Sequence, residues 1–328
     1  MKRIILFVLI FITHLSFWGG WGYSLKAQTY VTIPDANFAA YLQSIIPSAM
    51  SGNQIDTSNV LVTGRTSLNV ANKHISNLYG VQFFKSITYL NCDSNSVASF
   101  PVLPSSLQTF YCINCQLTNL PALPSSLIKV NCSVNQLTSL PALPNSLTYL
   151  ICLGNQLTTI PALPSSLAYL NCGFNQVANL PVLSGTLVNL NCSSNPLGVL
   201  PVLPNTLQSL QCASNNLTSL PTLPNSITSI DCSSNSLTNL PALPNSLSVF
   251  DCSFNRLINL PSLPSLLSIF YCNNNKLTSI SSLPNALTFF SCSSNQLINL
   301  PSLPSSLKTL WCTDNQLTSL PALPNSLQ

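Results

Sequence analysis

From Cys92 onward the apolar positions fall into two alternating settings, and the alternation repeats every 20 residues. The first is a short stretch of period two, Tyr149 to Cys152 for example, the pattern of a half-buried strand. The second is Leu-Pro-x-Leu-Pro, as in Leu140-Pro141-Ala142-Leu143-Pro144. A full unit reads LxxLxCxxNxLTxLPxLPxS and is written out by Leu307 to Ser326. Cysteine holds its place from Cys92 to Cys312, and asparagine follows three positions later, from Asn95 to Asn315, with Cys115 standing in once. A fixed period of this length marks a solenoid, in which each unit buries its apolar side chains only against its neighbours.

The two legs of a unit have different chemistry. Leucine before proline is pushed toward extended backbone, and proline lacks the N–H that a helix interior needs. The LPxLP leg is therefore expected to be extended or short 3₁₀. The other leg supplies one strand per unit, and stacked strands about 4.8 Å apart make a parallel sheet roughly 55 Å long for twelve units. Within one unit Leu147, Leu150, Cys152, Leu157, Ile160 and Leu163 point inward. The asparagine column also points inward, as a ladder whose amides satisfy turn backbone groups that burial would leave unpaired. Cys115 is the expected weak point of that ladder.

The run LxxLxCxxNxL resembles the leucine-rich repeat signature, with cysteine in the third apolar place. The LPxLP tail on a 20-residue period is similar to the short repeats of enterobacterial type III effectors. Ile33-Pro34-Asp35-Ala36-Asn37-Phe38 is similar to segments that precede the repeats in secreted leucine-rich repeat proteins of Bacteroidetes-type bacteria. The expected fold is a leucine-rich repeat solenoid, an α/β-class superhelix of mostly parallel β-structure, with little helix outside an N-terminal cap.

Met1-Lys2-Arg3 followed by Ile4 to Ile12 has the charged start and apolar core of a secretory signal, with Leu25-Lys26-Ala27 as the cleavage region. The expected division is a signal peptide at 1–27, a cap with a short helix at 28–67, a longer transitional repeat at 68–90, and the array at 91–328. Ala36 to Ile46 reads as an amphipathic helix with Asp35 as N-cap. The last unit stops at Leu327-Gln328, partway through, and the resemblance implies a C-terminal sorting or anchoring region. The expected location is secreted or cell surface, with no stable membrane span once the signal is removed.

After Ala27 the chain carries seven Lys or Arg, six Asp, no Glu and one histidine, His74. Nucleic-acid binding needs clustered basic side chains, and Lys129, Arg256, Lys276 and Lys308 are scattered. Acid–base catalysis needs positioned His, Asp or Glu. Asp231 and Asp251 form a carboxylate pair only as a polar patch on an open surface, so no enzyme and no cofactor are expected. Thirteen cysteines in an exported chain suggest disulfides, but a stacked column whose side chains share one direction reads as small buried hydrophobes. Cys112-x-x-Cys115 resembles a zinc half-site, yet its members belong to two different columns and no second CxxC completes it.

The strand positions between inward residues face outward, and unlike the inward columns they vary. Their aromatic residues gather at two places: Tyr89, Tyr111, Tyr149, Ile151 and Tyr169 near the start, and Ile269, Tyr271, Phe289 and Trp311 near the end. Asp231 and Asp251 close the polar strip between them. Exposed aromatic clusters are the material of contact hot spots, although aromatics also suit strand surfaces for packing reasons alone. The reading is a module that binds a protein or glycan on its concave face through Tyr89, Tyr111, Tyr149, Tyr169, Asp231, Asp251, Tyr271, Phe289 and Trp311. The alternatives are a structural or adhesive spacer, or the repeat part of an effector whose activity lies elsewhere.

Overall fold

A computed structural model describes residues 29–97 and 99–328; the signal segment read at 1–27 lies outside them. Among the described residues, one parallel sheet of 13 strands runs in chain order from Ser67–Asn69 to Thr309–Trp311. Each strand is three residues long, with its middle side chain turned inward, as in Tyr149–Ile151 and Tyr169–Asn171. Equivalent residues pair side by side: Tyr149 with Tyr169 and Leu150 with Leu170. The first step is longer, Leu68 pairing with Leu90. Leu147, Cys152 and Leu157 are fully buried, so the core is one continuous seam between sheet and return legs.

The return legs are extended, as proline at both LP steps requires, and each closes with a tight turn in which the carbonyl of Pro164, for example, accepts from the Leu167 N–H at 3.0 Å. The serine that ends the repeat motif has a role that its sequence position did not disclose. Ser166 Oγ donates to the carbonyls of Leu147 and Asn145, both at 2.7 Å. Thr186 and Thr206 make the same contact with Leu167 and Leu187. A second polar ladder thus ties most turns to the preceding repeat, with breaks at Leu266 and Ala286.

The asparagine ladder is present as expected. Asn215 Nδ2 is shared among the carbonyls of Cys192, Cys212 and Ala213 at 3.2, 3.0 and 3.0 Å. Its Oδ1 accepts from the Leu197 N–H at 3.2 Å. One side chain therefore serves two repeats, and Asn215→Ala strands several backbone groups at once. The expected cost is about 1–3 kcal/mol, read from denaturant unfolding; an unchanged midpoint would show that the ladder carries no stability. Cys115 keeps part of the donor role, its Sγ lying 3.1 Å from the Cys92 carbonyl. A thiol has no carbonyl oxygen to offer the next amide, as Asn135 offers to Leu117 at 3.0 Å. Cys115→Asn is expected to raise the same midpoint or leave it level.

Cysteine suits its column for a related reason. The column's thiols fill small apolar slots, and several point at the strand-end carbonyl of the next repeat: Cys92 at Tyr111 (3.1 Å), Cys132 at Ile151 (3.5 Å), Cys252 at Tyr271 (3.5 Å). All 13 are free, and all but Cys312 are buried. Burial pushes the thiols of Cys132 and Cys172 up to about 12, so a reactive thiolate is scarce. Cys115 is the exception: a hydrogen bond with the Cys92 thiol outweighs burial and lowers it, though its side chain is sealed from solvent. Titration with a thiol reagent is expected to reach Cys312 alone in the native state and nearly all 13 after denaturation, without reductant. Disulfides in the native protein by mass spectrometry would contradict this.

The cap is more elaborate than one helix. The expected helix spans Ala36–Ile45, and Asp35 caps it by accepting from Phe38 N–H at 2.8 Å. Its second oxygen accepts from Ser76 N–H and Oγ at 2.7 and 2.8 Å, which anchors the cap to the start of the array. Around the helix lie a three-stranded antiparallel sheet, Tyr30–Thr32, Gln54–Asp56 and Met50–Ser51, and a short helix Val60–Thr63. Gly80, at φ 121°, lets the cap close on the first repeat: a Cβ there would stand 2.4 Å from Ile33 Cδ1.

Candidate functional site

The strands of the array offer their first and third residues to the open face, except that Ser291 is buried, and the aromatic residues among them pack in groups along it. Tyr149 and Tyr169 are stacked, ring centroids 4.3 Å apart and 18° between planes. Tyr89 and Tyr111 meet edge to face at 5.8 Å, so the first aromatic group resolves into two ring pairs with Lys129 and Asn131 on the strand between them. At the far end Tyr271 packs on Phe289 at 4.7 Å and Phe289 on Trp311 at 5.2 Å. Most of these rings are half-buried against one another, whereas Trp311 is 55% exposed.

Asp231 and Asp251 lie side by side on paired strands, but they are more than a solvated patch. Asp231 Oδ1 accepts from Ser233 N–H and Oγ at 3.0 and 2.6 Å. Asp251 accepts from Ser253 N–H at 2.8 Å. Burial raises the Asp251 carboxyl above the usual range against the pull of those Ser253 bonds, with the neighbouring Asp231 charge adding to the rise. Asn91, Asn131, Asn171 and Asn191 make the same bond to the amide two residues on. This is the Asx-turn, which bends the chain out of the strand. Asparagine and aspartate in this column therefore have a structural reason to be there, and one oxygen of each is already engaged.

The bend delivers the chain to a residue with left-handed backbone in every repeat of the array. Ser, Asn, Asp or Gly usually fills it, but Val134 (φ 56°), Phe174 (φ 52°) and Phe254 (φ 55°) do not fit that chemistry. Such backbone costs an ordinary L-residue roughly 1–2 kcal/mol. These three side chains are nonetheless 52%, 63% and 55% exposed, so core packing does not repay the strain. Phe174 follows the strand of Tyr169, and Phe254 follows that of Asp251, at the edge of the face that holds the ring groups. All three lie beyond the strand ends, outside both outward columns. The legible signal was a large apolar residue in a column otherwise small or polar.

Other chemistry is sparse. Among the described residues no group of three or more His, Cys, Asp or Glu is placed to hold a metal ion. An open cavity of about 550 Å³ lies on the return-leg side between Ala162, Leu163, Pro181, Val182 and Gly185 and holds no charged side chain. Among the described residues no helix is long and apolar enough to cross a membrane.

No family model matches the sequence, and no curated protein does. Solved structures do. The chain is similar to YopM from Yersinia enterocolitica, with 31% identity and a TM-score of 0.74 over 82% of this chain and 64% of that one. It is also similar to YopM from Yersinia pestis, a leucine-rich effector protein, with 28% identity and a TM-score of 0.68 over 82% of this chain and 88% of that one. The fold is a leucine-rich repeat solenoid. The functional domain of InlJ from Listeria monocytogenes, which includes a cysteine ladder, matches with 25% identity and a TM-score of 0.65 over 90% of this chain and 74% of that one. The chain spans less than two thirds of the Y. enterocolitica protein's length. These three neighbours are bacterial leucine-rich repeat proteins, and the inward columns of this chain are those that a leucine-rich repeat core demands.

Proposed function

We propose that the chain is an exported, non-enzymatic leucine-rich repeat module, secreted or held at the cell surface, that captures a protein or a glycan on the concave face of its sheet. The observation that carries this reading is the gathering of Tyr149 with Tyr169, and of Tyr271 with Phe289 and Trp311, on a face whose backbone register asks nothing of them. Buried columns repeat because the core requires it; aromatic residues on an open strand surface are where contact energy concentrates. The strained, exposed Phe174 and Phe254 beside those groups support the same reading, since unrepaid backbone strain collects at functional positions. Scattered cations and, after residue 27, a single histidine, His74, in the transitional repeat favour neither nucleic acid nor catalysis.

A second reading, the repeat part of an effector, draws on the Y. pestis neighbour. A third is a rigid surface spacer. Immobilised mature chain, compared with a variant whose aromatic groups are replaced by serine, separates capture from spacing. The binding reading requires a ligand that the native chain retains and the variant releases; equal behaviour of the two favours the spacer.

A further inference from the structure

We infer that the middle of the sheet face is a binding site for a neutral, hydroxyl-rich polysaccharide, with one sugar ring seated on Tyr169 and its hydroxyls met by Asn189, Asn191, Ser209 and Gln211. The inference rests on the proposed capture by this face and adds the chemistry of what is captured. A small open cavity of about 90 Å³ is lined there by Tyr169, Asn189, Leu190, Asn191, Ser209 and Gln211. Tyr149 covers one face of the Tyr169 ring at 4.3 Å. The Asn189 strand lies on the other side of Tyr169, so the uncovered ring face is the wall of the cavity.

An aromatic face is the electron-rich part of the ring. The flat side of a pyranose presents C–H groups, apolar and slightly positive, which lie well against it. The remaining walls are amides and a hydroxyl, which both donate and accept and so match vicinal hydroxyls. Between Lys129 and Asp231 the outward columns hold no charged side chain, so a polyanion finds no ion pair on this strip. A protein anchor wants a fully desolvated pocket, and this one is shallow and polar-walled. The amides are also oriented in advance. Asn191 Oδ1 accepts from Ser193 N–H at 3.0 Å, and its Nδ2 donates to Gln211 Oε1 at 2.7 Å. With that oxygen engaged, Gln211 turns its NH₂ to a ligand, and little side-chain freedom is lost on binding.

The test is electrophoresis of the mature chain in native gels containing dextran, laminarin, galactomannan or polygalacturonate. At least one neutral polysaccharide is expected to retard the protein, and polygalacturonate is not. Tyr169→Ser combined with Gln211→Ala should weaken that retardation at least tenfold, whereas Val202→Ser, at an exposed return-leg position, should leave it in place. Gln211 is exposed, so Gln211→Ala alone gives a folded control that should weaken retardation if the double variant unfolds. Absence of retardation by all three neutral polymers, preference for polygalacturonate, or indifference to both Gln211→Ala and the double variant would overturn the inference. A protein ligand lost with the aromatic groups, without any polysaccharide binding, would overturn it too while leaving the broader capture reading standing.

Discussion

Phe270→Ala is expected to destabilise the array by about 3–5 kcal/mol, the range for emptying a buried phenylalanine site. Phe250, Phe270 and Phe290 replace the inward leucine in three successive repeats and stack at 5.7 and 5.6 Å with their planes within 10°. All three are fully buried. Phe270 is packed on both sides, so its removal opens a void between two repeat interfaces at once. Solenoid stability is a sum of repeats and nearest-neighbour contacts, so the loss falls at one place along the chain. Denaturant unfolding should show an earlier transition, and hydrogen exchange should place the loss around the Val249–Asp251, Ile269–Tyr271 and Phe289–Ser291 strands. Phe270→Leu restores the residue used by most other repeats and should cost under about 1.5 kcal/mol if the neighbours repack. An alanine variant within about 1 kcal/mol of the native chain would mean that the phenylalanine stack is not part of a shared core.

Much of this architecture could be read before any coordinates, because a repeat states each structural demand twelve times over. The cysteine and asparagine columns, the extended LPxLP legs and the inward place of Phe250, Phe270 and Phe290 all follow from position within the period. What escaped was of two kinds. The antiparallel strands of the cap occur once, three residues or fewer each, with no periodicity to lift them above background. The other kind was visible but not interpreted. Ser166 and its column mates recur in every repeat but those of Leu266 and Ala286, yet a hydroxyl at a turn has many uses and spacing alone does not choose among them.

The open face was legible as a set of outward positions, less so as chemistry. Asp231 and Asp251 read from sequence as a polar patch on an open surface, and the structure gives each of them turn bonds as well. The strain at Phe174 and Phe254 depends on a backbone angle that no side-chain pattern prints. Asn189, Asn191 and Gln211 gained interest only when the cavity beside Tyr169 placed them together.

The second large effect concerns binding. Serine at Tyr149, Tyr169, Tyr271 and Trp311 removes both rings of the stacked pair and two of the three rings of the far group on the open face. Lost ring packing costs roughly 0.5–1.5 kcal/mol per pair beyond area burial, spread over distant repeats, so the array should still unfold cooperatively. The binding loss is expected to be larger. A true anchor contributes at least ~2 kcal/mol, about 30-fold in affinity per residue, although such losses do not add linearly.

The most direct test of capture through this face is the dissociation constant of the mature chain for the ligand it retains, measured side by side with the fourfold serine variant under matched folding. Capture by the open face predicts a rise of at least about 30-fold. A constant within about twofold of native, well under the ~2 kcal/mol of a single anchor, would contradict it and leave the array as a spacer or place its contact on the return legs.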